Sequence, residues 1–158
     1  MVYNIHFLSL FYTNPFSIER KLCLYFFGKL IFYIDFLSYS IEMKTITIFV
    51  QGLNKEITFI VGENKEDNFL VIDQGSSKDI WIHANNISSC HVLCIIPENM
   101  NKKGLSYIVK KGAMLCKQYT NKLKTLSNIE FVYTPLQYVV KTDTIGCVTV
   151  IRGKYIRV

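Results

Sequence analysis

The segment Asp79-Ile80-Trp81-Ile82-His83 alternates side chains at period two, and so does Ser88-Ser89-Cys90-His91-Val92, beyond a polar break at Asn85-Asn86. That period belongs to β-strands, and two such runs this close together read as neighbouring strands. Ile80 and Ile82 then point to one side of a sheet, and Asp79, Trp81 and His83 to the other. An acid, an indole and an imidazole in a row can hydrogen-bond, stack and accept charge. This face is the first candidate for a working surface.

The flanking sequence extends the pattern. Residues 45–50 and 57–61 are β-rich runs separated by Gly52-Leu53-Asn54-Lys55, which suits a hairpin. Residues 62–68 form a charged turn, and 69–72 are short and apolar, either strand or helical turn. Residues 101–120 carry a helical stripe in which Leu105, Ile108, Val109, Gly112, Leu115, Cys116 and Tyr119 recur at three-and-four spacing. Gly112 inside that stripe costs about 1 kcal/mol of helix propensity relative to Ala, which leaves two readings: close approach to a sheet, or a merely tolerated glycine. Further strands follow at 129–133, 138–140, 147–151 and 155–158, with Pro135 closing the first of them. The expected fold is α+β: a largely antiparallel sheet with one principal helix packed on one face.

A chain of 158 residues allows one domain with a short appendage. Residues 1–42 differ in kind, holding twelve of the twenty-two aromatic residues together with three bases and three acids. The net charge of +6 therefore lies wholly in residues 43–158, and a basic domain of that size favours polyanions. The opening segment lacks the basic start and small-residue cleavage site of a secretory signal. Its apolar stretches are interrupted by Lys29, Asp35 and Asn14-Pro15, so it makes a poor membrane anchor. Three readings stand for 1–42: a poor anchor, a hydrophobic element packed on the domain, or a translation begun too early, with Met43 favoured as the start. Five cysteines in no regular framework imply reduced thiols and a cytoplasmic setting. Cys90 and Cys94 share a strand face and read as small core residues, so no metal site and no cofactor is expected.

The two histidine segments resemble the paired signature of the NFACT-R (DUF814) family, the RNA-binding module of ribosome quality-control factors. Ile57-Thr58-Phe59-Ile60-Val61-Gly62-Glu63-Asn64-Lys65 is similar to that family's opening strand and glycine turn. Val132-Tyr133-Thr134-Pro135 with Lys141-Thr142 looks like its second signature, and residues 146–150 like its closing strand. The resemblance runs from about residue 50 to the C-terminus, and is nearest to small standalone eukaryotic members, here without their coiled-coil tail. It implies an RNA-binding domain over 43–158, with tRNA or rRNA as partner and the ribosome as its setting.

The expected RNA-contacting residues follow from both lines of reasoning. Asp79, Trp81, His83 and His91 form the recognition site, with Trp81 open to two readings, stacking surface or core anchor. Lys103, Lys110 and Lys117, seven residues apart, make a cationic ridge on the exposed side of the helix. Lys78, Lys141, Arg152 and Lys154 add charge, and Tyr133 is open to two readings, a second stacking surface worth about 1–3 kcal/mol per base or a core residue, since it ends an apolar strand. Enzymatic chemistry is not expected, because Asp79 and His83 stand about 13 Å apart on one strand. Two alternatives remain: an RNA-processing or RNA-modifying enzyme using His83 and His91, and a membrane-tethered nucleic-acid sensor or adaptor. The second requires residues 1–42 to be translated and inserted.

Overall fold

The hairpin expected around Gly52 is present in the computed structural model, which describes residues 43–158. Strand β1 (Lys44–Val50) pairs antiparallel with β2 (Lys55–Gly62), from Lys44 opposite Val61 to Val50 opposite Lys55. A 3-10 turn at Gln51–Leu53 joins them, and Asn54 takes the left-handed conformation (φ 51°) that asparagine tolerates. Every reading made for residues 1–42 falls outside the described residues.

After β2 the chain forms helix α1 (Lys65–Asp73), where the sequence reading left a charged turn and an undecided apolar piece. The deciding group is Asn64, whose side-chain oxygen accepts the Asp67 N–H at 2.8 Å and so caps the first turn. Glu66 and Asp67 in that turn complement the positive end of the helix. Strands β3 (Ile80–Ala84) and β4 (His91–Cys94) follow, then α2 (Lys102–Tyr119), β5 (Glu130–Pro135), β6 (Val139–Lys141), β7 (Val148–Val150) and β8 (Lys154–Arg157).

Six strands form one antiparallel sheet in the order β1-β2-β4-β3-β5-β8, and β6 with β7 makes a separate hairpin. The architecture is α+β. Its two faces are chemically distinct, as period-two alternation requires. Ile80, Ile82, Ala84, Val92 and Cys94 share a core with Ile108, Val109, Ala113 and Cys116, so α2 lies on this aliphatic face. Burying each large aliphatic side chain there contributes about 1.5–3 kcal/mol. A Cβ on Gly112 would come within 2.6 Å of both Cys94 Sγ and Ile82 Cδ1, so glycine permits the helix to settle this close. The opposite face carries Trp81 and Leu93, covered by Val71 of α1 and by Leu136 and Val139. The sheet therefore has a helix on each side, where the sequence showed only α2.

Candidate functional site

The β3–β4 pairing sets Ile82 opposite Val92, and the next step along the ladder brings His83 beside His91. Three rings converge. The Trp81 and His83 rings are parallel to within 10°, with centroids 5.6 Å apart. His91 meets both edge-to-face, at 4.9 Å from Trp81 and 5.2 Å from His83. Such aromatic contacts contribute about 0.5–1.5 kcal/mol each beyond area burial.

This cluster is not the open patch that the sequence reading placed there. Trp81 is 1% exposed and His91 2%, and only His83 is half-buried. Asp79 stands apart from it, 3% exposed, accepting hydrogen bonds from Ser76 N and Oγ and from Ile96 N. Its role is to fasten the loop before β3, and its distance from His83 is what the strand repeat dictates. The indole Nε1 of Trp81 is buried without a hydrogen-bond partner, which costs about 1–3 kcal/mol.

Both imidazoles are held neutral. His91 Nδ1 lies 2.9 Å from the Asn68 carbonyl, which can only accept, so that nitrogen carries the proton. Asn68 also accepts the His91 backbone N–H through Oδ1 at 2.7 Å, fixing α1 to β4. Burial, and then the neighbouring His83, push the His91 pKa down to about 3. His83 Nε2 accepts the Ser89 N–H at 3.2 Å, which leaves its proton on Nδ1. Burial also lowers the His83 pKa, with Lys122 adding to the effect. Locked tautomers with depressed pKa values do not suit proton transfer near neutrality. Among the described residues, no three His, Cys, Asp or Glu side chains gather as a metal site requires.

Above the rings lies a groove of about 820 Å³. Its walls come from the β3–β4 loop (Asn85, Asn86, Ser88), the end of α2 (Tyr119, Thr120), Asn121 and Lys122 beyond it, and the β6–β7 loop. Thr120 ties two walls together, because its hydroxyl accepts the Cys90 N–H at 3.1 Å.

Residues 46–153 match the NFACT protein RNA binding domain. The chain belongs to that family. This NFACT domain is 32% identical over 89 residues to coiled-coil domain-containing protein 25 of Danio rerio, an alignment covering 54% of the chain and 42% of that protein. Its fold resembles the C-terminal part of the fibronectin/fibrinogen-binding protein from Streptococcus suis, with a TM-score of 0.56 at 19% identity. That superposition covers 65% of this chain and 40% of the other. The chain thus spans less than half the length of either relative.

The remaining expected contacts do not gather around the groove of the NFACT domain. Lys103, Lys110 and Lys117 lie along the outer side of α2, across the sheet from the rings. Tyr133 packs with the α2-side core, so it offers no second stacking surface beside Trp81. Lys141 is engaged by Asp73 at 2.6 Å and sits over Phe69. Arg152 covers the Tyr138 ring, Lys154 is exposed on the outermost strand β8, and Lys78 is exposed at the far end of β3.

Sequence reasoning overlooked a broader signal. From residue 99 to 129 there are seven lysines and no acid, so this run alone exceeds the net charge of +6. Counting the charges of both signs by segment would have found it. Lys122, within that run, stands at the groove, as does Lys65 from the start of α1. Among the described residues, no helix is long and apolar enough to cross a membrane.

Proposed function

We propose that this RNA-binding domain holds tRNA or rRNA along the outer side of α2, within ribosome-associated quality control. The carrying observation is the uninterrupted cationic run from Lys102 to Lys124. Outside the run, Lys44 is paired with Glu63, Lys65 with Glu66, Lys141 with Asp73 and Arg157 with Glu130, while Lys55, Lys78, Arg152 and Lys154 are scattered without such partners among the described residues. Among the described residues, none of the seven lysines in the run has an ion-pair partner. Lys103, Lys110 and Lys117 stand about 10.5 Å apart, two helical turns each. Between them Tyr107 and Met114 are 42% and 49% exposed, giving the ridge apolar surface for sugars and bases. The link to tRNA or rRNA rests on the family's tie to quality-control factors.

The test is tRNA affinity measured across salt, for the natural protein and for a Lys103→Gln, Lys110→Gln, Lys117→Gln variant. Each neutralised phosphate contributes about 0.7–0.9 to the slope of log K against log salt, so the variant should lose about 2–3. An unchanged slope, or no salt-sensitive binding by the natural protein, overturns the proposal.

A further inference from the structure

We propose that the groove over His83 receives one unpaired nucleotide, its base stacked on the imidazole, at the end of the RNA strand carried by α2. The inference rests on the reading of α2 given above and adds the kind of RNA feature recognised. One face of the His83 ring is taken by the parallel Trp81 indole. The ring is half-buried and lines the groove, so a base laid on it would extend a stack already two rings deep. Single-stranded RNA is commonly read in this way, with bases splayed onto aromatic or histidine rings and their edges hydrogen-bonded.

Size and polarity agree with such an occupant. The groove of about 820 Å³ lies within the range of about 300–1,000 Å³ typical of small-molecule sites. The charged side chains lining it are Lys65, Lys122 and Glu63, the last of them paired with Lys44, so the lining suits a base with a phosphate placed at Lys122. Asn85, Asn86, Ser88 and Asn121 line the groove together with the ring, and their amides and hydroxyl can donate to and accept from a base edge, although Asn121 Oδ1 already accepts from Lys124 Nζ. Asn85 is oriented in advance, since its Nδ2 donates to Glu130 Oε2 at 2.7 Å.

Trp81 is the chain's one tryptophan, so its fluorescence reports on this place alone. The experiment titrates the full chain with a single-stranded RNA oligonucleotide and with the blunt duplex of the same sequence. Single-stranded RNA should change Trp81 emission, and the duplex should bind without doing so. His83→Ala should weaken single-strand binding about 5- to 150-fold, the range expected for one lost base stack. It should leave duplex affinity and the salt slope alone. His83→Phe keeps a stacking ring and should restore affinity. Should His83→Ala fail to fold, Asn86→Gly serves instead, because it removes an amide and keeps the left-handed turn (φ 57°). Salt-sensitive binding with no loss in His83→Ala or Asn86→Gly, or with equal losses for strand and duplex, overturns this inference alone. Absence of salt-sensitive binding overturns the α2 reading with it.

Discussion

Replacing Asp79 separates a fastening role from an RNA-contacting one. Its carboxylate accepts Ser76 N at 2.7 Å, Ser76 Oγ at 2.8 Å and Ile96 N at 2.8 Å, in a residue 3% exposed. In Asp79→Ala the buried Ile96 N–H loses its acceptor, at about 1–3 kcal/mol, while exposed Ser76 partly recovers by hydration. Two lost bonds to a carboxylate bring the total to about 3–5 kcal/mol. A domain near the middle of the ordinary range of about 5–15 kcal/mol stays folded in water after that loss. With a urea slope of about 1–3 kcal/mol/M, the midpoint should fall by about 2 M. Asp79→Asn keeps one acceptor oxygen and should lose about 1–3 kcal/mol. Urea unfolding followed by Trp81 fluorescence gives both numbers. RNA affinity of the folded variants should stay within about twofold of the natural protein, because Asp79 is sealed from ligand. A midpoint shift under about 0.5 M, or an affinity loss without a stability loss, refutes the reasoning.

Gly62→Ala should destabilise the domain by about 1–3 kcal/mol in the same urea assay, because the new Cβ would lie 2.8 Å from Asn68 N and 2.9 Å from the Asp67 carbonyl carbon. Natural stability there would mean α1 sits farther from β2 than the structure has it. The pH dependence follows from the histidines. In the unfolded chain they titrate near 6.5, whereas His91 in the fold is held to about 3, by burial first and His83 second. The unfolded chain therefore takes up a proton that the fold refuses. Stability from His91 is complete above about pH 6.5 and declines as pH falls toward its folded value, by about 1.4 kcal/mol per pH unit. His83 acts with the same sign. Urea midpoints across that window test it, and a midpoint that rises on acidification contradicts it.

The strands and α2 were legible because their periods are strong. The 79–83 run alternates cleanly into β3, whereas only His91 and Val92 of the 88–92 run lie in β4; the buried stripe of α2 marked its extent, and of the two readings of Gly112 the structure has the close approach. Helix α1 was not legible by periodicity, since Lys65–Asp73 has hardly any one-sided apolar stripe, although Asn64 and Asp67 were a readable cap. The ring cluster was legible as a convergence, because strand alternation alone puts Trp81 and His83 on one face. Its closure was not, since α1, just before β3 in the chain, has hardly any apolar stripe to betray it, and the β6–β7 hairpin lies far along the chain. For the same reason the sequence could not say that the lysine ridge and the rings occupy opposite sides of the sheet. That depends on α2 choosing the aliphatic face of Ile80 and Ile82.

Thr120 has a mechanical consequence. It ends α2 and grips the last amide before β4, one residue past the amide that steadies the His83 ring. The two sides of the sheet are thereby joined around its rim as well as through its interior. A tilt of α2 that kept this bond would carry the Cys90 amide, and the groove wall beside it, along with the helix.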